Sequence, residues 1–105
     1  MPGRLTLVAL LYVDPDCRDD YQRFERDASR IMARHGGRIE RRVSVSPDGG
    51  ATGEAPHEVH VVTFPSADSF EAYRQDPDTI ALSELRARAI RRTVVWQGAD
   101  LPGFE

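Results

Sequence analysis

The chain has 105 residues, a length that suits one domain with a single hydrophobic core. Its net charge of -3 argues against a dedicated nucleic-acid-binding protein. All fourteen basic residues are arginine, which excludes lysine chemistry such as Schiff-base formation. Cys17 is the only cysteine, so no disulfide can form within the chain.

Neither a leader nor a membrane span is evident in the sequence. The N-terminal residues Met1 to Arg4 run directly into a strand pattern without a small-residue cleavage site. No apolar run is long enough to cross a bilayer. We therefore expect a bacterial, cytoplasmic protein that does not associate with membranes.

The first predicted strand, Leu5 to Val13, is apolar on both of its faces, as is typical of a strand buried on both sides. Asp14-Pro15-Asp16 ends it, because proline cannot donate to a strand ladder and aspartate caps helices. A long amphipathic helix is predicted from Asp16 to His35, with Gly36 as its left-handed C-cap.

Two strands joined by a glycine-rich hairpin loop are predicted next. In Arg38 to Ser46, alternation places Ile39, Val43 and Val45 on one face with Arg41, which leaves the other face polar and favours an edge strand. Residues 47–56 are the predicted loop. The following strand, residues 58–64, again has apolar residues on both faces.

The last third of the chain predicts a broken helical stretch and a final strand. Ser66 caps a short helix, and Asp76-Pro77 breaks it and restarts it. Residues Thr93 to Gly98 form the predicted last strand, and 99–105 form an apolar C-terminal tail.

This order of elements predicts one α+β domain over residues 1–105 with a split β-α-β topology. Right-handed crossovers then require a four-stranded antiparallel sheet of order 4-1-3-2 with two helices on one face. The order agrees with the burial pattern, because the strands predicted to be central are the two that are apolar on both faces. No segment remains to cover the second face, so we expect a homodimer in which another copy covers it.

Several short motifs resemble those of the dimeric α/β-barrel superfamily. They are His35-Gly36-Gly37-Arg38, Phe64-Pro65-Ser66, Phe70-Glu71-Ala72-Tyr73 with Asp76-Pro77, and Leu85-Arg86 through Ala89. The chain looks most like a bacterial family of small proteins of undefined function within it. The resemblance implies a ferredoxin-like fold whose sheets pack face to face across a twofold axis. Relatives include cofactor-free monooxygenases of aromatic antibiotic biosynthesis, haem-handling proteins, isomerases and stress-related proteins, so the fold does not choose among them.

Arg86 and Tyr73 are candidates for handling a ligand. The helical wheel places Arg86 toward the buried side, where its guanidinium needs a partner. That partner is either a carboxylate or phenolate of a ligand, or a structural group. Tyr73 either orients a ligand oxygen or is an aromatic residue of the core.

His60 is the candidate that would move a proton, because it shares a strand face with Glu58, which would orient its ring. An ordinary partly buried histidine is the alternative. Tyr12 and Trp96 are candidate ligand contacts, with simple packing as their alternative. His57 lies three residues before His60 and should point to the opposite face, and no ligand-spaced cluster predicts a metal site.

The sequence thus favours a homodimeric protein that binds a small, aromatic molecule without a cofactor. The alternative is a cofactor-independent monooxygenase- or isomerase-like enzyme for an aromatic or polyketide-like substrate, with His60, Tyr73 and Arg86 as catalytic residues. A third hypothesis is that the dimer has a purely structural or interaction role. A closed apolar cavity with these side chains converging in it would favour the enzyme.

Overall fold

The computed structural model describes residues 3–50 and 52–104. The expected lack of a leader rests partly on Met1 and Pro2, which lie outside these residues, as do Ala51 of the hairpin loop and Glu105 of the tail. The elements in chain order are β1 (Leu5–Val13), α1 (Arg18–Arg34), β2 (Arg38–Ser44), β3 (Glu58–Phe64), α2 (Ala67–Gln75), α3 (Pro77–Ala81), α4 (Ser83–Ala89) and β4 (Ile90–Gly98).

The four strands form one antiparallel sheet of order β2-β3-β1-β4, which reads 4-1-3-2 from the edge at β4. The central strands are therefore β1 and β3, the two whose sequences are apolar on both faces. Helices α1 to α4 cover one side of the sheet, which we call the inner face.

The boundaries differ from the sequence prediction at several places, and β2 ends at Ser44 instead of Ser46. A single 3-10 turn, Pro15–Cys17, precedes α1, and the Asp14 carboxylate accepts a hydrogen bond from the Asp16 amide at 2.9 Å. The second crossover contains three short helices, because Leu82 interrupts the stretch that follows Pro77. Strand β4 begins at residue 90, directly after α4, and so is longer than predicted.

The predicted alternation of β2 is wrong because a β-bulge interrupts it. Between Ile39 and Arg41 the pairing with β3 shifts, so that Glu40 is an extra residue on the bulged strand. Ile39 pairs with Val62 on the inner face, whereas Arg41 pairs with Val61 on the opposite face. One inserted residue reverses the facing of every residue after it.

The core fills the space between the inner face and the helices as two clusters. One joins β1 and β4 to α1 and α4, and the other surrounds Phe64, which is only 1% exposed. The side of the sheet away from the helices, here called the outer face, is uncovered in the single chain. The register places seven apolar residues on it: Val8, Leu10, Val43, Val59, Val61, Val94 and Trp96.

Two glycines let α1 turn tightly into β2. Gly36 has a φ of 75°, a left-handed conformation that favours glycine. Gly37 lies against the Phe64 ring and the Met32 side chain, and a β-carbon at this position would overlap both. The close approach of this turn to β3 therefore depends on the missing side chain.

We expect Gly37→Ala to lower the free energy of unfolding by roughly 1–3 kcal/mol, because the added methyl group forces the buried Phe64 ring to move. Urea denaturation measures the change. Gly98→Ala is the matched control, since a β-carbon at Gly98 meets nothing within 4 Å. Equal unfolding midpoints for the two variants would contradict the prediction.

Candidate functional site

A cavity of about 680 Å³ lies between the inner face and the helices, where the two core clusters meet. Its walls are mostly apolar and include the rings of Phe24, Phe64 and Phe70. Residues such as Val62 and Met32 are buried in it, whereas Val95 and Ile80 are 46% and 57% exposed. The cavity therefore opens toward solvent near β4 and α3.

Its polar groups come from every layer of the fold. They include Glu25 on α1, His60 on β3, Tyr73 on α2 and Arg86 on α4. The structure thus brings together the three residues that the sequence nominated as catalytic. It adds Glu25, which the sequence analysis did not nominate.

Behind His60, the carboxylate of Glu58 is held by three side chains. Tyr21 donates a hydrogen bond to Oε1 at 3.0 Å, and Arg42 donates from Nε to Oε1 at 3.1 Å and from Nη2 to Oε2 at 2.9 Å. His60 Nε2 lies 2.7 Å from the same Oε1. Burial alone would raise the pKa of Glu58, but the hydrogen bonds from Arg42, His60 and Tyr21 outweigh it and lower that pKa to about 2.

The ionised Glu58 determines which nitrogen of His60 carries the proton. A carboxylate only accepts, so Nε2 is the donor and Nδ1 is the ring's acceptor nitrogen. Burial lowers the pKa of His60 more than the contact with Glu58 raises it. The lowered pKa favours the neutral imidazole, and the contact with Glu58 orients the ring of His60.

The position of Arg42 in this network is a consequence of the bulge in β2. Because the pairing shifts at Glu40, Arg42 lies opposite His60 on the inner face and reaches Glu58. Strict alternation of β2 gave no sign of this contact. Tyr21 was also missed, since its place on the apolar arc of α1 indicates only burial.

Glu25 has an unusual environment for a helix carboxylate. It is half-buried and lines the cavity, and the negative charge of Glu58 lies nearby. Burial, followed by repulsion from Glu58, raises the pKa of Glu25 to about 7, although Arg42 and Arg86 act in the opposite direction. The only signal in the sequence was a carboxylate between the buried residues Phe24 and Ala28.

Tyr73 and Arg86 lie at different depths of the cavity. Tyr73 packs against the Phe64 ring, 5.5 Å away between centroids, and burial followed by the charge of Glu25 raises its pKa. Arg86 lines the cavity, on the side of α4 that the helical wheel indicated, but its side chain is exposed and its Nη2 donates to the Thr93 hydroxyl at 2.8 Å. Because α4 is a short helix at the open side of the cavity, Arg86 borders the opening.

Tyr12 and Trp96 are not part of the cavity, because both lie on the outer face. The Arg92 guanidinium stacks 4.1 Å from the centre of the Tyr12 ring, which is buried beneath it. Trp96 pairs with Val8 and is 68% exposed. The structure therefore separates these two predicted ligand contacts from His60.

The two other histidines form no hydrogen bond with the Glu58 network in the described residues. His35 Nε2 is 2.9 Å from the Asp76 carboxylate, and His57 precedes β3, where its amide donates to the Leu11 carbonyl. Within residues 3–50 and 52–104, no three His, Cys, Asp or Glu side chains are grouped so that they could hold a metal ion. In the same ranges, no helix is both long and apolar enough to span a bilayer.

The raised pKa of Glu25 predicts a pH-dependent effect of Glu25→Gln on stability. The folded pKa exceeds the unfolded value of 4.5, so ionisation opposes folding increasingly as the pH rises from about 4.5 to about 7. We expect Glu25→Gln to stabilise the protein by roughly 1–3 kcal/mol at pH 8 and to change little at pH 4. Thermal unfolding at both pH values measures this, with exposed Glu84→Gln as the control. An equal effect at the two pH values would contradict it.

Solved structures with a similar fold include proteins of several kinds. A protein of unknown function from Rhodopseudomonas palustris, RPA0582, superposes with a TM-score of 0.84 at 19% identity, over 98% of this chain and 86% of that one. SnoaB, a cofactor-independent oxygenase from Streptomyces nogalater, gives 0.70 at 11% identity over 96% of each chain. A dimeric ferredoxin-like protein of unknown function from Thermobifida fusca gives 0.61 at 20%, over 94% and 92%.

These identities are low, so the likenesses establish the ferredoxin-like fold alone. No curated protein matches the chain significantly. The model of a domain of unknown function, DUF1330, matches residues 8–98, which include β2, β3, β4, most of β1 and every cavity-lining residue except Leu7. The chain therefore belongs to the DUF1330 family.

Proposed function

We propose that this protein binds a small, largely aromatic molecule in the cavity between the inner face and the helices. The cavity itself carries the proposal: about 680 Å³ of mostly apolar space with a few convergent polar groups is typical of a ligand site. Aromatic rings on its walls favour a flat ligand that stacks against them.

Arg86 is the group that would recognise an anionic substituent of the ligand. It is exposed at the cavity opening, and its described hydrogen bond goes to a neutral hydroxyl, that of Thr93. A guanidinium binds a carboxylate more strongly than a hydroxyl, since both partners are charged and two parallel hydrogen bonds can form. An aromatic carboxylate or phenolate therefore suits the site.

We expect anthraquinone-2-carboxylate to bind the wild-type protein and Arg86→Gln to weaken its binding roughly ten- to a hundredfold, because a charge-assisted hydrogen bond is lost. Isothermal titration calorimetry measures the Kd. Arg88→Gln is the matched control, since Arg88 lies on the same helix and donates at 3.4 Å to Asp20, a residue outside the cavity. Equal losses in both variants, or no binding to the wild type, would contradict the proposal.

We further propose that the functional unit is a homodimer in which the outer faces of two copies pack together. Val8, Val43 and Trp96 are 37%, 42% and 68% exposed in the single chain, and they form one surface with the apolar residues between them. An apolar sheet face of this kind is costly to leave in water. In the tail, Leu101 and Phe104 are also exposed, at 89% and 107%.

We expect the wild-type protein to sediment as a dimer at micromolar concentration and Trp96→Arg to sediment as a monomer, because a charge would be buried without a partner at the interface. Because the side chain of Trp96 is exposed in the single chain, we expect the variant to fold, and circular dichroism checks this. Ala33→Arg, on the exposed face of α1, should stay dimeric. A wild-type monomer at this concentration would overturn the dimer.

A second candidate is a cofactor-independent enzyme of the monooxygenase or isomerase type, acting on an aromatic or polyketide-like substrate. The observation that favours it is the 2.7 Å contact between His60 and Glu58 at the cavity wall, which leaves a neutral imidazole able to accept a proton. Tyr73 and Arg86 would orient the substrate. Turnover of a hydroxynaphthalene without added metal or flavin would favour the enzyme, whereas binding without turnover would favour the binding protein.

A further inference from the structure

Two carboxylates on the inner side of the molecule have opposite surroundings. Glu58 accepts hydrogen bonds from Tyr21, Arg42 and His60 and does not line the cavity. Glu25 lines the cavity, and no hydrogen bond to its carboxylate is found in the described part of the chain. The oxygens of Glu58 are therefore already hydrogen-bonded within the protein, whereas the oxygens of Glu25 are available to a ligand.

Glu25 is also close to the other polar groups of the site. Five charged or titratable side chains, each on a different element, interact electrostatically with Glu25. They are Tyr21 of α1, Arg42 of β2, Glu58 of β3, Tyr73 of α2 and Arg86 of α4. Glu25, His60, Tyr73 and Arg86 line the same cavity, and the charge of Arg86 acts on Glu25. A ligand that fills this cavity would therefore contact both Glu25 and Arg86.

Two neighbouring carboxylates with very different pKa values are typical of a site for acid–base catalysis. Glu58 stays ionised at all ordinary pH values, whereas the pKa of Glu25 is raised to about 7 by burial and by the charge of Glu58. A carboxylate that exchanges its proton near neutral pH is suited to general base catalysis. His60 is less suited, because burial lowers its pKa and so disfavours its protonated form.

We propose that Glu25 removes a proton from the carbon next to the carbonyl group of an aromatic ketone bound in the cavity, and that Arg86 stabilises the resulting enolate. The C–H bond breaks, its proton goes to a Glu25 oxygen, and its electron pair moves to the carbonyl oxygen, which accepts a hydrogen bond from the guanidinium. Return of a proton from Glu25 to the same carbon regenerates the ketone. The cycle consumes no oxidant or reductant. This inference rests on the proposed small-molecule site.

The test is solvent hydrogen exchange of 2-tetralone, an aromatic ketone with acidic C–H bonds, in D₂O. Proton NMR follows the loss of the C1 proton signal, and saturation-transfer NMR on the same samples follows binding. We expect the wild-type protein to accelerate exchange, with a rate that rises as Glu25 ionises around neutral pH. Glu25→Gln should lower the catalysed rate roughly a hundredfold while the ketone still binds.

Two variants separate the role of Glu25 from a structural effect. Glu25→Asp should retain part of the catalysed exchange, since it keeps a base in the same region, and exposed Glu84→Gln should exchange at the wild-type rate. Binding of the ketone without acceleration, or a wild-type rate in folded Glu25→Gln, would overturn this inference and leave the binding proposal standing. Failure of 2-tetralone to bind would count against both.

Discussion

The Glu58 carboxylate is the interaction on which the candidate site depends. It joins three elements that are distant in sequence, because Tyr21 approaches it from α1, Arg42 from β2 and His60 from its own strand. A buried carboxylate is stable only when its oxygens are paired. The same pairing fixes the proton of His60 on Nε2 and places a permanent negative charge near Glu25. This charge adds to burial in raising the pKa of Glu25 at the cavity wall.

The second constraint is that the helices cover only one face of the sheet. On the inner face they leave a cavity, because α2, α3 and α4 are short and interrupted and do not fill the space above β4. On the outer face they leave apolar side chains uncovered. The cavity supports a ligand site, and the uncovered apolar side chains support self-association. The two faces share the central strands β1 and β3, so a dimer would stiffen the floor of the cavity without contributing to the polar groups that we describe here.

Membership of the DUF1330 family identifies the fold of this chain but no reaction, and a similar fold occurs in a cofactor-independent oxygenase. The function of this protein therefore has to be inferred from its site. Within it, Glu25 differs from every other described acidic group in being half-buried, lining the cavity and having its pKa raised into the neutral range. This combination is more informative than the cavity alone, because an apolar cavity indicates binding, whereas a carboxylate that titrates inside it indicates proton transfer.

The sequence by itself determined the strands β1 and β3, the α/β order and the shared face of Glu58 and His60, because these depend on local periodicity and on turn residues. It also nominated Tyr73 and Arg86, which do line the cavity. Only the tertiary structure decided the rest. The bulge at Glu40 gives no periodic signal, yet it brings Arg42 to Glu58. The exposure of Arg86 depends on where α4 lies, and the separation of Tyr12 and Trp96 from the cavity depends on which face the helices cover. The raised pKa of Glu25 arises from burial and from a charge more than thirty residues away along the chain, and such long-range proximity exists only in the folded molecule.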